Sequence, residues 1–171
     1  MKYFFDTEFI EDGNTIDLIS IGIISEDGRE YYAINWDCRL ECASQWVIDN
    51  VIIHLPSREH PAWKNKKDIA QDIIEFCHSE PEFWAYYADY DWVVLCQLFG
   101  TMMDLPSSFP MYCNDIKQLC NSVGNPKLQK QLTNQHHALH DARWCKQIYD
   151  YLSNYLEEII TKQQKSVEKN I

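Results

Sequence analysis

Short apolar runs separated by polar clusters fill the first part of the chain. Residues 1–10, 15–25 and 29–36 are rich in β-branched and aromatic side chains, which favour strands. The polar clusters 11–14 and 26–28 between them each contain an Asp-Gly pair, which is typical of tight turns. The pattern therefore predicts three successive antiparallel strands, a meander, with the aromatic first strand in the interior of the sheet.

Helical and strand-like patterns alternate along the rest of the chain. The spacing of apolar residues predicts five helices, over residues 42–50, 66–78, 92–103, 116–123 and 138–161. Two short apolar runs, 83–88 and 111–113, predict two further strands. An antiparallel meander followed by strands that alternate with helices indicates an α/β fold, in which a mixed sheet is flanked by α-helices.

One domain accounts for the whole predicted core. A chain of 171 residues is long enough for one domain, and no change of composition marks a boundary. We expect the domain to span residues 1–161 and to be followed by a polar, frayed tail over 162–171. Residues 37–65 are the least regular part, and a loop of this length is either functional or a tolerated insertion. The long last helix and its aromatic residues would permit a homodimer.

Composition restricts the class of protein. Hydrophobic residues make up 46% of the chain and aromatic residues 13%, which is typical of an ordered globular protein. No apolar run reaches the length of a membrane span, and the N-terminus lacks the pattern of a signal peptide. We therefore expect a cytoplasmic protein with no membrane partner. The seven cysteines include no Cys-x-x-Cys pair, and we expect all of them to be reduced and structural.

The chain is strongly acidic, with a formal net charge of −11. This charge argues against a protein that coats nucleic acid, because such proteins neutralise phosphates with Lys and Arg. It is compatible with an enzyme that holds one end of a nucleic acid through metal ions. Contact with the rest of such a polymer is expected to be weak and short-lived.

Two carboxylates stand out on the first predicted strand. Asp6 and Glu8 are two residues apart, so the strand period places both side chains on the same face. Neighbouring carboxylates repel each other and are costly to desolvate unless a cation lies between them. Ligands that are all oxygen suit Mg²⁺ or Mn²⁺ rather than Zn²⁺. The alternative is that both side chains lie on the solvent face of a half-buried strand.

Two later stretches carry further candidate groups. Asp91 follows the fourth predicted strand, at the kind of strand-to-helix junction where α/β sheets present functional side chains, although it would also suit a helix N-cap. His136, His137 and His140 precede Asp141 at the start of the last helix. There Asp141 could simply complement the helix dipole, with exposed histidines beside it.

These motifs together resemble the DEDDh group of 3′–5′ exonucleases, whose domain has the ribonuclease-H-like fold. The first motif of that family is Asp-x-Glu on the first strand, which Asp6 and Glu8 match. The second is an aromatic-Asp pair between a strand and a helix, which Asp91 and the preceding tyrosine match. The third is His, four residues, then Asp, which His136 and Asp141 match. The motifs occur in the family order and the predicted elements fit its fold, so the resemblance covers nearly the whole chain.

Rival residues remain for the second and third motifs. Many members of the wider family have Asn a few residues before the second-motif Asp, where this chain has Tyr87, so Asp89 competes with Asp91. The apolar residues that follow, Val94 and Leu95, fit the register of Asp91. For the third motif, His137 and His140 are rivals of His136. The family spacing selects His136, whose place in a loop suits a base that must reach a water.

Three stretches, residues 3–13, 17–22 and 26–32, are similar to one branch of the family. This branch is the small stand-alone bacterial exoribonucleases first recognised in mycobacteria. The resemblance implies an enzyme that removes nucleoside 5′-monophosphates from RNA 3′ ends. Rival functions are a DNA-directed 3′–5′ exonuclease of proofreading or phage type, a hydrolase of small nucleotides, and a catalytically silent ribonuclease-H-like binding module.

The resemblance also implies roles for the site residues. Two divalent cations, Mg²⁺ or Mn²⁺, would be held by four carboxylates, those of Asp6, Glu8, Asp91 and Asp141. His136 would be the general base, because an imidazole can accept a proton near neutral pH.

Two residues that flank the first motif are candidate substrate contacts. By analogy with the family, Thr7 and Phe9 would meet the terminal nucleotide through backbone and ring. Stacking on an aromatic ring tolerates any base, as an enzyme that degrades from an end requires. An ordinary core position is an equally good interpretation of Phe9.

Overall fold

The computed structural model of the chain describes residues 1–78, 80–132 and 135–168. Its strands are β1 Lys2–Glu11, β2 Ile16–Ser25, β3 Glu30–Asn35, β4 Trp63–Lys64, β5 Glu82–Ala85 and β6 Asn114–Asp115. Its α-helices are α1 Gln45–Asn50, α2 Lys66–Phe76, α3 Asp89–Gln97, α4 Ile116–Ser122 and α5 Ala138–Glu168. Short 3-10 turns lie at Leu40–Cys42, Ile52–His54 and Met102–Asp104.

The strands form one mixed sheet in the order β4-β3-β2-β1-β5-β6. The pairs β1–β2 and β2–β3 are antiparallel, which confirms the predicted meander. The pairs β1–β5, β5–β6 and β3–β4 are parallel. The sheet contains β4 in addition to the five strands that the sequence predicts, because a two-residue strand is too short to leave an apolar pattern. The α/β prediction, with the mixed sheet of a ribonuclease-H-like fold, is confirmed.

Helices cover both faces of the sheet, and β1 contributes to both cores. Tyr3 and Phe5 point to one face, where they are fully buried in a cluster that includes residues of α2 and α3. Phe4 points to the other face and packs in a cluster with residues of α4 and α5. This alternation follows the strand period of two. The even-numbered positions of β1 therefore face α5.

A glycine lets α5 approach the sheet closely. A Cβ atom on Gly22 of β2 would lie 2.3 Å from the Cα atom of Leu139, a distance that side-chain atoms do not tolerate. Gly22 is paired with Asp6 across the β1–β2 ladder. The N-terminal turn of α5 consequently lies directly over the part of β1 that carries the candidate carboxylates.

Three predicted elements differ most from the structure in their bounds, while the helix expected over 42–50 begins at Gln45 and the strand expected over 83–88 ends at Ala85. The helix expected over 92–103 begins earlier, at Asp89, and ends at Gln97, because the backbone at Gly100 has φ +122° and a new turn starts at Thr101. The strand expected at 111–113 lies just beyond, in β6. The last helix runs past residue 161 to Glu168, and a Lys162–Glu158 ion pair one turn apart supports this extension. The expected tail over 162–171 is therefore helical as far as it is described, and 169–171 lie outside the described residues.

All seven cysteines are free, as predicted, and five of them are buried. Burial raises the thiol pKa of Cys38, Cys77, Cys96, Cys113 and Cys145, which makes these thiols less reactive. Among the described residues, no helix has both the length and the apolar character required to cross a membrane. The cytoplasmic location, the homodimer and the division at residue 161 stay predictions.

Candidate active site

The second half of β1 carries three neighbouring polar side chains. Asp6 and Glu8 face α5, as the strand period predicts, while Thr7 faces the opposite layer. Glu8 is 9% exposed and Thr7 is 5% exposed. The alternative of two carboxylates on the solvent face is therefore wrong for this strand. The ladder between β1 and β5 covers only residues 2–4, so α3 can approach β1 beyond that point.

The side chain of Asp91, in α3, is hydrogen-bonded to β1. Its carboxylate is 7% exposed, and its Oδ1 atom accepts hydrogen bonds from the Thr7 N–H at 2.8 Å and from the Thr7 hydroxyl at 2.6 Å. The helix N-cap is Ala88, so the N-cap role considered for Asp91 is wrong. Its rival Asp89 is exposed on the first turn of α3. The structure thus brings Asp91 to the carboxylates of β1 and leaves Asp89 in solvent.

Asp141, in the first turn of α5, is bonded through both carboxylate oxygens. Its Oδ2 atom accepts from the His136 N–H at 2.8 Å, and its Oδ1 atom accepts from the Gln131 Nε2 group at 2.6 Å. Glu8, His136 and Asp141 each bring a possible metal-ligand atom to within 4.8 Å of the other two. The structure therefore assembles the first and third sequence motifs at one place.

The backbone at His136 is in the left-handed region, with φ +65°, which is uncommon for a residue other than glycine. Its imidazole packs against the ring of Trp46 in α1, with ring centroids 4.8 Å apart at 80°. The loop 37–65 thus contributes a side chain to the site. No periodic pattern indicates this role, because Trp46 is exposed and lies on a six-residue helix.

Among the described residues, the rival histidines are outside the possible metal-ligand group formed by Glu8, His136 and Asp141. His137 stacks on Tyr32 of β3, with ring centroids 4.7 Å apart, and contacts His140 edge-on at the same distance. Burial is the main reason why the pKa of His137 is lowered. The His140 Nδ1 atom lies 3.1 Å from the Arg143 guanidinium. These histidines and His136 line a cavity of about 370 Å³ beside the site.

Four carboxylates crowd together in a largely buried place. Burial, followed by repulsion from its three neighbours, raises the pKa of Asp6 well above the usual range. Burial, followed by repulsion from Asp141 and Asp91, raises the pKa of Glu8 to about 8. Burial raises the pKa of Asp91 to about 6 against the opposing hydrogen bonds of Thr7, and it raises the pKa of Asp141 as well. Ionising all four requires positive charge nearby, and an all-carboxylate oxygen set with one imidazole beside it suits a hard divalent cation.

The two candidate substrate contacts lie on either side of Glu8. The Thr7 hydroxyl and the Thr7 N–H both donate to Asp91. Phe9 is half-buried and stacks on Tyr90, with ring centroids 5.8 Å apart at 12°. The Tyr90 ring is itself half exposed. Contact of Thr7 and Phe9 with a nucleotide stays a prediction.

The chain is similar to known proteins over nearly its whole length. The family model described as the 3′-5′ exoribonuclease Rv2179c-like domain matches residues 1–153, a span that includes every site residue above. Two curated relatives from Mycobacterium tuberculosis are each 43% identical to the chain over 147 residues, which is 84% of this chain and 88% of the relative. They are named 3′-5′ exoribonuclease MT2234.1, from strain CDC 1551, and 3′-5′ exoribonuclease Rv2179c, from strain H37Rv.

Proposed function

Since the chain belongs to the Rv2179c-like family of 3′-5′ exoribonucleases, we propose that it hydrolyses RNA from the 3′ end as a metal-dependent enzyme of the DEDDh type. The products would be nucleoside 5′-monophosphates. The observation that carries the proposal is the buried group of four carboxylates with an imidazole next to Glu8 and Asp141. Buried acids with raised pKa values are typical of sites that bind cations and perform chemistry.

Asp6, Glu8, Asp91 and Asp141 would hold the metal ions, with Asp6 shared because it interacts with the other three. When bound, two Mg²⁺ or Mn²⁺ ions would orient the attacking water and stabilise charge on the phosphoryl group and the departing 3′-oxygen. The charge of these four carboxylates suits a metal site. A carboxylate whose pKa is raised is stabilised in its ionised form by a neighbouring cation.

The protein side chains prepare this chemistry in two ways. The two hydrogen bonds from Thr7 favour the ionised form of Asp91, and bonds from Gln131 and the His136 N–H fix both oxygens of Asp141. These bonds orient the acids before substrate arrives, which is the preorganisation that electrostatic catalysis needs.

His136 would act as the general base. Its ring lies within 4.8 Å of the carboxylates of Glu8 and Asp141, and Trp46 holds it from the side. It would take a proton from the attacking water as the new P–O bond forms. The bond from phosphorus to the 3′-oxygen then breaks, and that oxygen takes up a proton from solvent. The bases of the RNA take no part in this step, so the chemistry itself does not depend on sequence.

The test is the degradation of a 5′-labelled single-stranded RNA in Mg²⁺ or Mn²⁺, with a DNA of the same sequence beside it. We expect a ladder that shortens from the 3′ end, is lost in EDTA and is lost in Asp6→Asn. Asp89→Asn is the matched control, because it removes an exposed acid from the same region and should leave the ladder intact. A faster ladder on DNA would favour the rival exodeoxyribonuclease. A protein that cleaves neither polymer with either metal would contradict the proposal and favour a silent binding module.

A further inference from the structure

One long segment of this acidic chain contains no acidic residue. The chain has 26 Asp and Glu residues against 15 Lys and Arg, yet residues 116–140 contain no carboxylate side chain. The same segment contains Lys117, Lys127 and Lys130 together with three histidines. The segment ends at the catalytic Asp141, so positive charge is concentrated on the approach to the candidate site.

The middle of this segment lies along α5 next to the site. The Trp144 indole N–H donates to the Gln129 carbonyl at 3.0 Å, and Gln131 donates to Asp141 at 2.6 Å. Two cavities run along this surface, and both are lined by Lys130 and Trp144. His140 lines one of them and Gln135 the other, and both of these residues also line the cavity beside the catalytic histidine. The surface is therefore continuous with the site.

Aromatic rings belong to the same surface. The rings of Tyr86 and Trp144 are 5.0 Å apart between centroids, and those of Tyr86 and Tyr87 are 4.7 Å apart. Tyr87 is 64% exposed, and its backbone lies in the left-handed region with φ +59°. This conformation costs on the order of 1 kcal/mol for a non-glycine residue, so the surrounding contacts hold Tyr87 in it.

The lysines of this surface are available to a ligand. Lys130 lines both cavities, and Lys127 comes directly before Leu128, which lines one of them. Both lysines are exposed, and among the described residues neither has a carboxylate within ion-pair distance. Arg143 lines the same surface, but it is already paired with Glu30 at 2.6 Å and contributes less. Exposed ammonium groups beside aromatic rings are the features that bind the phosphates and the bases of a single strand.

We propose that this surface, the groove lined by Tyr86, Lys130 and Trp144 and flanked by Tyr87 and Lys127, binds the unpaired RNA strand on the 5′ side of the terminal nucleotide. The inference rests on the proposed function, because it assumes an RNA 3′ end in the neighbouring site. Lysines contact the phosphates, and the tyrosine and tryptophan rings stack on bases without selecting among them. The groove gives a chain of net charge −11 a local means of holding a polyanion.

The size of the effect follows from counterion release. For each phosphate contact on a single strand, the affinity falls with about the 0.7 power of the salt concentration. At about 0.1 M salt this amounts to about fivefold per lysine. Lys127→Gln/Lys130→Gln should therefore weaken binding of a long RNA by up to about 25-fold. The slope of log affinity against log salt concentration should become shallower by about 1.4. Loss of one stacking ring should weaken binding by about tenfold.

Binding is measured by fluorescence anisotropy of a labelled single-stranded RNA of about twenty nucleotides in EDTA, where no cleavage interferes. The matched control is Lys67→Gln/Lys165→Gln, which removes the same charge from exposed lysines on α2 and near the far end of α5. Tyr87→Gly removes the ring and relieves the strained backbone, because glycine adopts this conformation readily. We expect Tyr87→Gly to bind RNA more weakly while its urea midpoint is equal to or above that of the wild type.

Degradation of a diribonucleotide and of the long RNA, with Mg²⁺, separates this inference from the proposed function. We expect the groove variants to raise KM for the long RNA and to leave the diribonucleotide unchanged. Equal losses in the groove pair and the control pair, or equal losses on both substrates, would overturn the inference while the exonuclease stands. If the wild type cleaves neither substrate, the proposed function fails, and a selective binding loss in the groove variants would still support the groove.

Discussion

Replacing Glu8, a carboxylate of the candidate site, is expected to stabilise the metal-free protein. Glu8 is 9% exposed, and burial with repulsion from Asp141 and Asp91 raises its pKa from 4.5 to about 8. A carboxyl whose pKa is raised in the folded state is favourable in its protonated form, so its ionisation opposes folding. Glu8→Gln keeps the shape of the side chain and cannot ionise. The variant should therefore unfold at a higher urea concentration than the wild type in EDTA.

The magnitude follows from the pKa difference. The stability that protonated Glu8 contributes is fully present below its unfolded pKa of about 4.5. It is lost as the pH rises through the folded pKa of about 8. At pH 7 the raised pKa of Glu8 would cost at most about 3 kcal/mol, at about 1.4 kcal/mol per pKa unit between 4.5 and the solution pH. Part of this cost is shared with Asp6, whose pKa is raised by the same neighbours. A gain of about 1–3 kcal/mol in Glu8→Gln is therefore expected.

The assay is urea unfolding followed by tryptophan fluorescence at about pH 5 and about pH 7, in EDTA and then in Mg²⁺. The wild type should lose stability between the two pH values, and Glu8→Gln should lose less. Mg²⁺ should stabilise the wild type more than the variant, because a ligand is missing. Glu75→Gln, an exposed change on α2, is the control and should behave as the wild type does. A Glu8→Gln midpoint at or below that of the wild type in EDTA at about pH 7 would refute the reasoning.

Three other substitutions test how the site is positioned. Gly22→Ala would place a Cβ atom 2.3 Å from the α5 backbone. The helix must then move by about 1 Å, which should lower the free energy of unfolding by about 1–3 kcal/mol and kcat by about 100-fold. Thr7→Val removes the hydroxyl bond that lowers the pKa of Asp91, so the acidic limb of the activity profile should move upward by about one pH unit. Trp46→Ala removes the ring that holds His136 and should lower kcat by up to about tenfold with little change in stability.

A specific result would contradict each of these three predictions. An active Gly22→Ala protein of unchanged stability would mean that α5 does not need its close approach to the sheet. For Thr7, rescue by Thr7→Ser is the control, and an unchanged pH profile in Thr7→Val would contradict the role of the hydroxyl. For Trp46, a rise in KM without a change in kcat would point to substrate contact instead of support for His136.

The site residues that the sequence identifies each follow a strong local rule of secondary structure. The spacing of Asp6 and Glu8 places them on one face because the strand period is two, and the structure agrees. Asp91 lies in the first turn of the helix that follows a strand, and the apolar residues after it fix its register. The element order is likewise predictable, because strands and helices of ordinary length leave periodic patterns.

The features that the sequence did not indicate depend on contacts between distant segments. Gln131 bonds to Asp141 across a loop, and nothing in the spacing of one glutamine among several singles it out. Trp46 reaches His136 from a short helix in an irregular loop. The role of Gly22 depends on how closely another helix approaches, which only the packed structure fixes. The two-residue strand β4 is stabilised by its partner β3 and not by its own composition.

The central position of β1 divides the site into two parts with different resistance to local opening. β1 is paired with β2 along nearly its whole length and with β5 at its start, so its amide hydrogens should exchange with solvent only when the whole domain unfolds. His136 lies in the connection before α5, outside any strand, and can separate from the acids without breaking the sheet. Mild denaturant should therefore abolish turnover before it abolishes metal affinity, and hydrogen exchange read at each amide would record the two events separately.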